Sequence, residues 1–132
     1  MLISYSCYSQ TIDHYLSESN IFYQDGLEKV NYEKLYVSLV HSEDSELIGL
    51  SLSPIDGSID NMQTFKMSIK DIYTHAGTKY FVFDCKLIKN QIESSKVFTV
   101  YVTTDYTNII IFYSESTYQG FQLNKLVSRD NL

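Results

Sequence analysis

The chain has 132 residues, enough for a single domain (1–132) around one core, and its 44% hydrophobic and 20% charged content is that of a folded protein. Its net charge is −6, with 16 acidic against 10 basic side chains, which argues against nucleic-acid binding, where neutralising phosphates requires a basic face. No apolar run approaches the roughly 20 residues of a membrane helix, and residues 1–10, MLISYSCYSQ, lack the basic start and apolar stretch of a signal peptide.

In chain order, residues 11–30 (TIDHYLSESNIFYQDGLEKV) are ambiguous. Ile12, Tyr15 and Leu16 have helical spacing and predict a short N-terminal helix, while the same stretch has room for a strand. From residue 33 the apolar period is two. Leu35, Val37 and Leu39 share one face of a strand. Ile48, Leu50 and Leu52 do the same, until Pro54 and Asp56-Gly57-Ser58 stop the run. Phe65, Met67 and Ile69 alternate with Lys66, Ser68 and Lys70. Phe81, Phe83, Cys85 and Leu87 form the next set, then Phe98, Val100 and Val102, then Ile109, Ile111 and Tyr113. Phe121, Leu123, Lys125 and Val127 close the series. Between the runs lie turn-like segments such as HSED (41–44), THAGT (74–78) and TTDYTN (103–108).

Short strands in steady succession predict an all-β fold, an antiparallel meander of about eight strands in neighbour order. Closure into a full or partial barrel would remove the edge-strand hazard, and about eight strands enclose room for side chains or one small ligand. On this reading Phe65, Phe81, Phe83, Phe98 and Phe121 line the lumen as ligand-binding residues. The same aromatics would equally fill a sandwich core.

The stretch FTVYVTTDYTNIIIFY (98–113) joins two β-rich runs through Thr104-Asp105-Tyr106. Asp and Thr side chains there accept hydrogen bonds from turn N–H groups, and Tyr106 is placed to plug a barrel rim. The hairpin resembles the second conserved block of the lipocalins. The later run YQGFQLNKLVSRD (118–130) is similar to the last lipocalin strand leading into an Arg-containing block, with Arg129 as the match. The Gly-x-Trp of the family's first block has no counterpart, since the chain has no Trp. The resemblance implies non-enzymatic sequestration or transport of a small hydrophobic or amine ligand.

Little in the pattern carries covalent chemistry. His14, His41 and His75 are far apart, and His41-Ser42-Glu43-Asp44 offers too few ligands for a defined metal site. No phosphate loop, nucleophile elbow or zinc-protease motif occurs. Cys85 sits in an alternating strand and reads as a buried thiol. The reading is therefore a non-enzyme without a cofactor or metal. Acidic side chains near aromatics favour a cationic ligand, although Asp84 is expected to face solvent. If the protein is secreted after loss of a leader, Cys7 and Cys85 form a disulfide; in the cytoplasm both stay reduced. A second functional reading rests on the −6 charge and the 12 tyrosines. It is a small acidic interaction protein, such as an immunity protein or inhibitor that masks a basic toxin or nuclease, with tyrosines as interface anchors.

Overall fold

Alternating residues give strands throughout, because a period of two puts one apolar face on a common surface. The computed structural model describes residues 10–56 and 62–126. These form eleven strands: β1 (Thr11–Ser17), β2 (Asn20–Gln24), β3 (Leu27–Asn31), β4 (Leu35–His41), β5 (Leu47–Pro54), β6 (Gln63–His75), β7 (Thr78–Lys89), β8 (Ile92–Thr103), β9 (Asn108–Ser114), β10 (Thr117–Gln122) and β11 (Asn124–Lys125). All belong to one antiparallel sheet in the order β11-β1-β4-β5-β6-β7-β8-β9-β10-β2-β3. The expected neighbour-order meander runs from β4 to β10.

The sheet must curl, and the connections show why. β1 lies beside β4 and β2 beside β10, so eight strand spacings separate them along the sheet. Flat, that is about 38 Å. Only Glu18 and Ser19 connect them, and three peptide units reach about 11 Å. A second short link, the single residue Leu123, carries the chain from β10 to β11 beside β1. Both links pull the two flanks together at one corner. Elsewhere the flanks stay apart, so the sheet is a half-barrel with β3 and β11 as edges; of the full and partial closures expected, it is the partial one that forms.

Two further expectations are corrected. Residues 11–30 hold strands and no helix, and eleven strands among the described residues replace about eight. In β1 it is Tyr15 and Ser17 that are buried, while Ile12 is 56% exposed, so the helical spacing of Ile12, Tyr15 and Leu16 is not used. Asp25 (φ 50°) and Gly26 (φ 86°) form the two-residue turn that folds β2 onto β3. Positive φ at both central positions matches the twist of a tight hairpin, for which Asp-Gly is a favoured pair.

The inner face of the half-barrel is packed. Val37, Leu39, Leu50, Phe65, Phe83, Val100, Val102, Ile109 and Ile111 are each no more than 1% exposed. Two inward assignments shift at bulges, where an extra residue reverses the alternation. An irregularity opposite Val40 and His41 turns Leu47 inward (3% exposed) and leaves Ile48 half-buried. A second, between Ile69 and Asp71, turns Tyr73 toward the outer face, opposite Tyr80, while Ile69 just before it stays opposite Phe83 but is 42% exposed. Lys125 is exposed. Cys7, Val127 and Arg129 lie outside the described residues.

Candidate functional site

The five phenylalanines expected to line a lumen are gathered on the inner side. Phe65, Phe83 and Phe121 are buried and Phe81 and Phe98 partly so. They meet edge-on, with ring centroids 5.9 Å apart for Phe65–Phe98 and 6.4 Å for Phe81–Phe83. Four of them pack against one another or the core, and Phe121 alone of the five borders a cavity of about 820 Å³.

That cavity, about 820 Å³, occupies the open side of the half-barrel. One wall is apolar, formed by Leu35, Leu52 and Ile55, with Phe121 opposite. Between them lies a polar relay. The Tyr113 hydroxyl donates to Gln119 Oε1 at 2.9 Å, and Gln119 Nε2 donates to Asn20 Oδ1 at 2.7 Å. Asn20 is 2% exposed, and both amides border the cavity. Burial pushes the Tyr113 hydroxyl above its ordinary pKa, so it remains a donor at neutral pH. The relay ties both amides to each other and to the Tyr113 hydroxyl, which limits their rotation. Glu33, Lys34 and Asp56 stand at the rim.

The Thr-Asp-Tyr hairpin lies at the other end of β4, away from Leu35. Thr103 is buried, and its Oγ1 accepts from the backbone N–H groups of Thr107 (3.0 Å) and Asn108 (2.9 Å). Asp105 Oδ1 accepts from the Thr107 hydroxyl at 2.7 Å and from its N–H at 3.1 Å. These bonds hold the Asp105 carboxyl below the usual carboxylate range, those from the Thr107 and Thr103 side chains foremost. Tyr106 has φ 59° and turns its ring onto His41 (5.4 Å, perpendicular) and Phe81 (6.4 Å). Thr104 is half-buried. These residues form one end of the frame, not a wall of the cavity.

The histidines stay apart: His14 meets Ser38, His41 faces Asp13 at 3.7 Å, and His75 stacks on Tyr73. Among the described residues no group of three His, Cys, Asp or Glu side chains could hold a metal ion. Cys85 is fully buried, and burial first, then Asp84, pushes its thiol up to about 12. A thiol held protonated is no nucleophile. Asp84 is part-exposed and pairs with Lys70 at 3.1 Å.

A second feature was not foreseen. On the outer face, six rings form a continuous belt across six adjacent strands, from Tyr73 and Tyr80 through Tyr101, Phe112 and Tyr118 to Tyr23. Successive centroids lie 4.8–6.5 Å apart, within the range of favourable aromatic pairs. The signal was present in the positions alternating with core residues, such as Tyr80 beside Phe81 and Tyr101 between Val100 and Val102. The bulge that brings Tyr73 into line could not be read from alternation.

Comparisons of the chain with protein-family models, with curated proteins and with solved structures find no match.

Proposed function

We propose that the protein acts by binding, without covalent chemistry, a small amphipathic ligand in the cavity on the open side of the half-barrel. One observation carries this reading: a buried, pre-oriented polar relay, Tyr113–Gln119–Asn20, faces an apolar wall across about 820 Å³ of space. Small-molecule sites combine largely apolar walls with a few fixed polar groups in this way. The apolar body of the ligand lies against Leu35, Leu52 and Phe121, and its polar head meets the relay. Glu33 and Asp56 against Lys34 at the rim favour an amine over an acid. The residual lipocalin resemblance supports the same activity, with the site moved from a central lumen to the open flank.

Calorimetric titration with octylamine and with octanol tests this. Octylamine should bind more tightly than octanol by about 3-fold, the worth of one partly screened ion pair. Replacing Leu35 or Ile55 with Trp projects a ring into the apolar wall of the cavity and should weaken binding of both while circular dichroism stays unchanged. Undiminished binding to both folded variants would exclude the cavity as the site.

A further inference from the structure

The aromatic belt leaves two grooves on the outer face, and they share one chemistry. The first, about 340 Å³, runs beside β8 and β9, walled by Tyr101, Phe112 and Val97. Its one charged lining residue is Glu115. The second, about 350 Å³, lies over β10, between Tyr80 and Tyr118 and floored by Gly120. A Cβ at Gly120 would meet nothing within 4 Å, so the floor there is open. Its one charged lining residue is Glu28. Neither groove has a Lys or Arg among its lining residues, and the whole chain carries −6.

Each groove therefore offers aromatic rings and one carboxylate. A cation gains from both at once, through the negative face of the ring and through the ion pair. An anion gains from neither, and a neutral apolar group would leave the carboxylate partly desolvated without a partner. Guanidinium is the best match among protein cations, since it stacks flat on a ring and pairs with a carboxylate through its edge. The first groove sits at the end of β8 and β9 that holds Val97 and Ser114, and the second over β9 and β10 toward Asn108 and Gln122. One to two strand spacings and about three to four residues along the strand put them roughly 10–15 Å apart. In an extended segment, residues four apart project to the same side and span about 13 Å.

We infer that the outer aromatic face is a docking surface for an extended basic segment of a partner protein, with two arginines about four residues apart seated in the Glu115 and Glu28 grooves. The belt between them supplies tyrosine and phenylalanine contact area of the kind that dominates protein interfaces. Asn20 and Phe121 border both the second groove and the cavity, which adjoin across the sheet; the groove's Tyr118 and Gly120 face outward, whereas the cavity's Gln119 faces inward.

The test is fluorescence anisotropy with a labelled Ser/Gly nonapeptide bearing two arginines four residues apart, and with the same peptide carrying neutral citrulline instead. The intact chain should prefer the arginine peptide. Glu28→Gln and Glu115→Gln should each weaken it by about 3- to 5-fold, and together by about 10- to 25-fold, since distant sites add. Tyr101→Leu, which keeps apolar cover but removes the ring, should also weaken it. A charge-matched control, Glu43→Gln with Asp44→Asn in the exposed β4–β5 turn, should leave affinity unchanged. Equal losses in the control would mean that net charge alone attracts the peptide and would overturn the assignment. So would indifference to citrulline, no detectable binding, or a dimer in sedimentation that buries the belt.

Discussion

Replacing Tyr106 separates two contributions that usually travel together. Its ring, partly buried against His41 and Phe81, hides on the order of 120 Å². At about 25 cal/mol per Å², removing it costs about 3 kcal/mol, so Tyr106→Ala should lower stability by about 2–4 kcal/mol. The backbone adds a second term. Tyr106 sits at φ 59°, where any Cβ crowds the neighbouring carbonyl at a cost of about 1 kcal/mol, and alanine keeps that strain. Glycine relieves it. Tyr106→Gly should therefore be more stable than Tyr106→Ala by about 0.5–1 kcal/mol, the reverse of the usual order in a strand or helix. Urea unfolding followed by circular dichroism measures both. A glycine variant no more stable than the alanine one would refute the left-handed turn, and an alanine variant as stable as the parent would refute the role of the ring in closing this end.

The turn at Asn90 and Gln91 has φ of 53° and 65°, so Gln91→Gly, giving the favoured Asn-Gly pair, should stabilise the protein by about 1 kcal/mol in the same assay. Asp105 has a lowered pKa in the folded state, so its stabilising contribution is complete above the unfolded value of about 3.9 and is lost as pH falls through the folded value. Thermal scans should show Asp105→Ala less stable than the parent at pH 6, the gap closing as the pH drops well below 4. Cys85, buried with its thiol raised to about 12, should alkylate with iodoacetamide at pH 8 at least about 100-fold slower in native than in urea-unfolded protein. Peptide mapping of native, unreduced material from a secreting host decides its pairing with Cys7, and a free Cys85 there would remove the bridge.

Alternation made most of the fold legible. Val37, Leu39, Leu50, Leu52, Phe65, Phe83, Val100, Ile109 and Ile111 were placed on inner faces from spacing alone, and all are buried. What alternation could not supply was sheet closure and face reversal. Closure depends on which strands neighbour each other, and β1 beside β4 with β2 beside β10 is a non-local choice. Face reversal at Ile69–Asp71 depends on one extra residue, which shifts every later side chain by one face. The aromatic belt was hidden for that reason: Tyr73 joins Tyr80 and Tyr101 only after the bulge. In residues 11–30 the Asp25-Gly26 turn signal was visible, yet the helical spacing of Ile12, Tyr15 and Leu16 competed with it. For the cavity, Leu35, Leu52 and Phe121 were assigned to inner faces, but Asn20 and Gln119 were not, because a polar residue facing inward breaks the rule that identified its neighbours.

The seam between the two flanks explains why the cavity lies where it does. At the corner where β1, β10 and β11 meet, the β9–β10 and β1–β11 ladders each continue up to the short Leu123 link. The Leu123 N–H donates to the Thr107 carbonyl at 2.8 Å, and the Leu126 N–H to the His14 carbonyl at 2.9 Å. The Ser17 hydroxyl donates to the Ser19 carbonyl at 3.1 Å within the two-residue link. These bonds anchor the ends of the two short links, which hold the corner shut, since backbone groups there must find partners. Past Asn20 the β2–β3 hairpin follows β10 and diverges from β4 and β5, and the space between them is the cavity. Asn20 therefore stands at the junction, with its backbone continuing from the seam and its side chain ending the polar relay. Asn20→Ala leaves Gln119 Nε2 without its acceptor beside the cavity, which should cost about 1–3 kcal/mol of stability. It should also weaken octylamine binding, because the released amide no longer points one way. Calorimetry and urea unfolding on this one variant check both effects. Full stability with full affinity would show that the relay neither supports the seam nor orients the site.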